Sequence, residues 1–374
     1  MTATAIEIPL LTLKGQNAEI GPDVKAAVMR VLDSGVFILG AENKAFDSEF
    51  AEAIGAKHSL GVDSGTSALE LALEAVGVGP GDEVIVPSFT FIATATAVSV
   101  LGATPVLADV DPATLTLSPR SVERSLTART KAVVAVHLFG QAADMDPLLS
   151  IAKSKRLALI EDCAQSHLAT YKGRTTGAFG ALAAFSFYPS KNLGAAGDAG
   201  AVTTNDDSLR ARVAELRNCG RSCDGGYHHV RIGHNCRLDE IQAAILRVKL
   251  LRLAGWTAAR RRIAAIYDEG LRDLPLQRPP IGNEDSAPVF HLYTLRCDRR
   301  DALAEHLRGQ GVGTGVYYPT PVHMQPAYAD LGYKSGAFPV SERAAREVLS
   351  LPMYAELSAT DAGRVVDAVR RFFR

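Results

Sequence analysis

The chain has 374 residues, 47% of them hydrophobic and 22% charged. That composition excludes a small stapled peptide and a largely disordered chain, and at about 100 to 200 residues per domain it leaves room for two domains. Forty Lys and Arg against 41 Asp and Glu give a formal charge of −1, without the basic excess of a dedicated nucleic-acid binder.

Five cysteines, Cys163, Cys219, Cys223, Cys236 and Cys297, are an odd number in a long chain, and residues 1–5 lack the basic and apolar regions of a secretory signal. The expected location is a reducing cytoplasm. In chain order, Gly61 to Glu70 runs small hydroxyl residues into a helical pattern carried by Leu69, Leu71, Ala72, Leu73 and Ala75. Free N–H groups at such a helix start, with the hydroxyls of Thr66 and Ser67, suit a phosphate; an ordinary N-cap is the alternative. Gly77, Gly79 and Gly81 do not make a dinucleotide fingerprint, because they precede a strand and enclose Pro80.

Residues 84–108 carry no charge, but Pro87, Gly102 and Pro105 interrupt them, so they read as strand, helix and strand and not as a membrane span. Strands are predicted over 83–87, 104–109, 132–136, 157–161 and 181–187, with a helix over 92–101. Apolar runs without alternation fit a mostly parallel sheet covered on both faces, with ligands at the carboxyl ends of its strands.

At such an end stand Glu161 and Asp162, followed by Gln165 and His167. Asp162 is placed to pair with a cationic ring nitrogen and Glu161 to be structural, capping of the next helix being the alternative for either. The 181–187 run delivers Tyr188 and then Lys191, a lone lysine among apolar and small residues. Buried, it would be a free amine available as a Schiff-base nucleophile or proton carrier; otherwise it is a surface lysine in a Gly-rich loop.

His228, His229, His234, Cys219, Cys223 and Cys236 crowd together, but their spacing matches no paired-ligand zinc pattern, so a substrate-facing or interface loop is preferred and no metal is expected. A Pro-rich polar segment over 274–288, including Gly282, Asn283 and Asp285, reads as a loop bordering a second domain. Beyond it a strand (289–297), a helix (301–310), a strand (313–318) and two helices (341–349 and 360–373) are predicted. The expected division is a large domain over 1–250 and a small C-terminal α/β domain over 251–374.

Phosphate-type helix start, strand-end Asp162 and strand-borne Lys191, in that order, are what pyridoxal phosphate requires. The sequence resembles the DegT/DnrJ/EryC1/StrS family of nucleotide-sugar aminotransferases, of the α/β PLP-dependent transferase fold type I. The resemblance runs from Phe37-Ile38-Leu39-Gly40 to Tyr317-Tyr318-Pro319 and His323, through Ser64-Gly65-Thr66-Ser67, Glu161-Asp162-Cys163-Ala164-Gln165, Ser186-Phe187-Tyr188-Pro189-Ser190-Lys191 and Gly233-His234-Asn235-Cys236-Arg237.

The resemblance implies that Lys191 carries the cofactor as a Schiff base and that Asp162 binds its pyridine nitrogen. Gly65, Thr66, Ser67 and Ser186 would hold the phosphate, Phe91 would stack on the ring and Gln165 would lie near its hydroxyl. Asn235 would reach the cofactor of a neighbouring subunit, making an obligatory homodimer. His167, Tyr188, Tyr317, Tyr318 and His323 become candidate contacts to the sugar nucleotide. L-Glutamate is the implied donor. Gln165 with His167, and the stretch over 193–200, look more like members acting on dTDP-linked 3-keto-6-deoxyhexoses than on 4-keto sugars. PLP-dependent sugar dehydratases and non-catalytic binding proteins are the rival readings: Lys191 weighs against dehydratases with histidine in its place, the irregular cysteine spacing against those assisted by an iron–sulfur cluster, and Lys191 with Asp162 against a binding protein.

Overall fold

A computed structural model of the chain describes residues 6–224, 226–280, 282 and 286–374. Asn283 and Asp285 of the expected loop, and the segment 1–5, lie outside the described residues. In chain order the elements are α1 (Lys14–Ser34), α2 (Ala41–Ile54), β1 (His58–Val62), α3 (Gly65–Ala75), β2 (Glu83–Pro87), α4 (Ala93–Val100), β3 (Thr104–Ala108), α5 (Pro119–Ser125), β4 (Thr130–Val136), α6 (Met145–Lys155), β5 (Ala158–Asp162), β6 (Thr170–Tyr171), β7 (Arg174–Thr175), β8 (Leu182–Ser186), β9 (Gly200–Thr204), α7 (Asp207–Leu216) and α8 (Glu240–Gly270). They continue with β10 (Tyr293–Arg296), α9 (Arg300–Gly309), α10 (Pro339–Glu347), β11 (Val348–Leu351) and α11 (Ala359–Phe372).

Seven strands form one sheet in the order β1-β9-β8-β5-β4-β2-β3, parallel except for β9. Successive side chains of these apolar runs point to opposite faces. Val84, Val86, Val134 and Ile160 accordingly enter one core, while Ile85, Val133, Ala135 and Leu159 enter another on the far side. Covered on both faces, the sheet leaves its carboxyl ends as the open rim, and β1, β2, β4, β5 and β8 deliver Ser64, Ser88, His137, Asp162 and Lys191 toward it.

The C-terminal part has its own core, in which Tyr293 and Leu295 of β10 meet Leu303, Leu307, Val365 and Val369. Here two expectations are corrected. The segment 313–318 is not a strand; it makes a single bridge, Gly315 to Ser350. The partner of β10 is β11, antiparallel through Tyr293–Leu351 and Arg296–Val348, in a stretch where the helix was expected to run on to residue 349. α10 stops at Glu347, where Val348 turns extended, and the four residues that follow, Val348–Leu351, are too few for their periodicity to separate strand from helix. The sequence reading also passed over β1 and β9.

Residue 250, where the division was drawn, falls inside α8. That helix gives Leu246 and Leu253 to a core with Phe46, Phe50, Phe185 and Phe187, and Ile263, Ala264 and Tyr267 to the C-terminal core. No helix among the described residues is long and apolar enough to cross a membrane.

Candidate active site

A cavity of about 460 Å³ opens over the carboxyl ends of the parallel strands. Gly65, Thr66, Phe91, Asp162, Gln165, Ser186, Tyr188, Lys191, Tyr317 and Tyr318, read from five separate stretches of sequence, all line it.

At its floor α3 begins. Ser64 is extended and its hydroxyl accepts the Ser67 N–H at 3.1 Å, which leaves the N–H groups of Gly65 and Thr66 without intrahelical acceptors. The glycine is needed for close approach, since a Cβ on Gly65 would lie 2.5 Å from Ser186 Cβ. Ser67 stands behind this floor, its hydroxyl 2.9 Å from that of Ser64, and is not part of the lining.

Asp162 is buried, with Oδ2 accepting the Thr94 hydroxyl at 2.9 Å and Oδ1 the Ala164 N–H at 3.1 Å. Burial pushes its carboxyl above the usual range, against those bonds and the attraction of Lys191. Lys191 is pulled the other way: burial lowers its amine to about 8, partly opposed by Asp162. A buried acid hydrogen-bonded by no guanidinium or ammonium among the described residues, beside an amine whose charge burial disfavours and above a helix start, fits a flat cation-bearing ring with a phosphate tail. The exposed face of Phe91, its centroid 5.9 Å from that of Tyr318, lines the same cavity. Gln165 is already engaged: Oε1 accepts the Phe139 N–H at 2.7 Å and Nε2 donates to Tyr318 Oη at 3.1 Å.

Glu161, adjacent to Asp162, points to the other face. It is fully buried and accepts N–H bonds from Gly177, Phe179 and Gly180, each at 2.8 Å, and one from His137 at 3.0 Å. Burial alone would raise it, but these donors outweigh burial and hold it below the usual carboxylate range.

Three expected contacts sit elsewhere. His167 is sealed between the rings of Phe185 and Phe187, both at 5.6 Å, with neither nitrogen in hydrogen-bonding geometry, and burial lowers it to about 3. His323 is buried between Ser88 Oγ (2.7 Å) and Glu342 Oε1 (3.1 Å). Neither lines the cavity, so the expectation of direct sugar contact does not match their placement. Asn235 is exposed and away from this chain's own cavity. The neighbouring His and Cys side chains are scattered: His229 binds the Cys219 carbonyl, His234 binds Glu74, and all five cysteines are free. Polar lining residues to which the sequence reading gave no role of their own include Thr90, Asp198 and His291. A lone histidine inside the apolar run at 289–292 was the available signal for the last.

Comparison with known proteins adds three findings. The sequence profile of the DegT/DnrJ/EryC1/StrS aminotransferase family matches residues 18–370. The chain is 48% identical, over 98% of its length and 96% of the relative's, to a dTDP-3-amino-3,4,6-trideoxy-alpha-D-glucose transaminase of Streptomyces venezuelae, and 44% identical, over 99% of both, to a pleiotropic regulatory protein of Geobacillus stearothermophilus. Its fold superposes on the crystal structure of S. venezuelae DesV in complex with a ketimine intermediate with a TM-score of 0.95, at 47% identity over 99% of both chains.

Proposed function

Because the chain belongs to the DegT/DnrJ/EryC1/StrS aminotransferase family, we propose that it transfers the amino group of L-glutamate to carbon 3 of a dTDP-linked 3-keto-6-deoxyhexose. It is an enzyme of the α/β fold type I that uses pyridoxal phosphate. The single observation that carries the reading is the convergence of Lys191, Asp162 and the α3 start in one cavity, in a chain close to a dTDP-3-amino-sugar transaminase. The same pair of residues favours a catalyst over a regulatory relative that only binds.

Gly65, Thr66 and Ser186, with Ser67 supporting them, would hold the phosphate; Asp162 would face the ring nitrogen, Phe91 the ring face, and Gln165 the ring hydroxyl. Bound there, pyridoxal phosphate supplies a carbonyl for the amino group and an electron sink for the bond broken next to it. Lys191, its amine lowered to about 8 so that the free base is within reach near neutral pH, takes the proton from the Cα of the amino donor and in the second half-reaction returns one to the sugar carbon. Asp162 keeps a negative charge under the site. Leu10, Leu11, Leu292 and Met353 exclude water from it. Tyr188, Tyr317 and Tyr318 supply hydroxyls toward the sugar.

Both substrates are anions, yet Lys191 is the only lysine or arginine in the described lining. The segment carrying Arg221, His228, His229, Arg231 and Asn235 supplies two guanidinium groups, two imidazoles and an amide that do not line this chain's own cavity, Arg231 being paired with Glu215. Exposed apolar side chains lie on the same segment, at Tyr227, Val230 and Ile232, and at the end of α1, at Leu32, Val36 and Phe37. These features support a homodimer with shared sites. Purified protein supplied with pyridoxal phosphate, L-glutamate and either a 3-keto or a 4-keto dTDP-sugar tests the acceptor. The 3-amino sugar, located by NMR, is the expected product; amination only of the 4-keto sugar refutes the carbon-3 assignment.

A further inference from the structure

His291 lies at the cavity wall, and its chemistry is set by its neighbours. Asn192, the residue after Lys191, donates from Nδ2 to the Val289 carbonyl at 3.0 Å, which leaves its Oδ1 as an acceptor for His291 Nδ1 at 3.2 Å. His291 therefore carries its proton on Nδ1 and presents a lone pair at Nε2. No described residue binds that nitrogen, and it is not sealed off as the His167 nitrogens are. The backbone around it is tightly held: Val289 N–H donates to the Gly140 carbonyl at 2.9 Å, and Arg260 donates to the Phe290 and Met353 carbonyls at 3.2 and 2.9 Å. Gly140 is at φ +94°, and a Cβ there would come within 2.8 Å of the His291 backbone nitrogen.

We propose that His291 is a substrate-binding residue whose Nε2 accepts a hydrogen bond from a hydroxyl of the sugar ring. The proposal rests on the reading above that the amino acceptor is a keto-sugar nucleotide. A neutral imidazole with its one N–H already given to Asn192 has nothing to donate, so it cannot hold the carboxylates of glutamate. Burial, with the positive charges of Lys191 and Arg260 nearby, keeps it from protonating into a carboxylate ligand. Glutamate brings one donor, the amino group that goes to the cofactor, whereas the sugar ring brings free hydroxyl donors. The contact belongs to the second half-reaction alone, and Asn192 ties it to the turn that bears Lys191.

Two substitutions separate cavity contact from packing. His291→Asn keeps a donor for Asn192 Oδ1 but removes the atom facing the cavity, whereas His291→Gln places an amide oxygen near the position of Nε2. In the loaded enzyme the two half-reactions are followed separately, and binding of a dTDP-3-amino-6-deoxyhexose to the cofactor-free protein is measured by calorimetry, with circular dichroism and melting to verify folding. Loss of one hydrogen bond should raise the sugar KM and the calorimetric Kd about tenfold in His291→Asn. The glutamate half-reaction should keep its KM and rate, and His291→Gln should recover most of the loss. A sugar KM and Kd at the wild-type level in His291→Asn, or an equal effect on both half-reactions, overturns the proposal. If the wild-type enzyme completes the glutamate half-reaction but binds no sugar nucleotide, the reading of the acceptor falls and the proposal falls with it.

Discussion

Burial shifts Lys191 and Asp162 in opposite directions, lowering the lysine amine and raising the carboxyl, and in both it disfavours the charged form. With its amine at about 8, Lys191 should be roughly one-tenth uncharged at pH 7, where an ordinary lysine near 10.4 would be about a thousandfold below half. The pH dependence of its amine-selective labelling in cofactor-free protein should therefore show a midpoint near 8, and a midpoint at 10 or above contradicts the burial argument. Lys191→Ala should still take up pyridoxal phosphate non-covalently while turnover falls by about a thousandfold or more, given what a positioned base and nucleophile contribute. Turnover near the wild-type rate refutes the role of Lys191. Both residues are legible in the sequence because each ends an apolar run, where a charged side chain has little reason to stand except at a rim. His167 and His323 misled for the converse reason: a histidine beside such a motif looks the same whether it faces a ligand or packs against Phe185 and Phe187.

Strand β5 shows how one element divides two carboxylates between two duties. The pleat sends Asp162 to the cavity and Glu161 to the other side, where four donors surround it. Glu161→Gln should destabilise the fold by about 3 kcal/mol, since an amide nitrogen must then face donors in a buried network. Urea unfolding measures this, and a change below about 0.5 kcal/mol, the range of neutral surface substitutions, would show the network to be dispensable. Because Glu161 is held low when folded, its contribution is complete above the ordinary carboxylate range and disappears only as pH drops through its lowered value. At the start of α3, Gly65→Ala should weaken pyridoxal phosphate binding by pushing β8 away; unchanged affinity would show that the close approach to Ser186 is not needed. Strands between helices were legible because continuous apolar runs of five residues bounded by turns have few other uses. The C-terminal pair was not, because β11 is four residues long and continues directly from a helix.

Across the whole molecule, α8 joins the core around Phe46, Phe50, Phe185 and Phe187 to the C-terminal core, and the C-terminal part brings Tyr317, Tyr318, His291 and Met353 to the rim of the sheet. That meeting of residues more than a hundred positions apart could be named in advance only for the tyrosines, through resemblance, since no local pattern encodes it. The proposed homodimer yields its own prediction. Mixing Lys191→Ala subunits with Asn235→Ala subunits at limiting cofactor should restore about a quarter of wild-type activity, because statistical exchange makes half the dimers hybrids with one intact site. Additive background from the two variants, with no recovery, contradicts shared sites.

The most direct measurement is the absorption spectrum of the protein with pyridoxal phosphate, taken before and after L-glutamate and again after a dTDP-3-keto-6-deoxyhexose. The account predicts a yellow band that glutamate abolishes and the sugar restores. A band that glutamate leaves unchanged, or that the 3-keto sugar fails to restore while a 4-keto sugar succeeds, contradicts it.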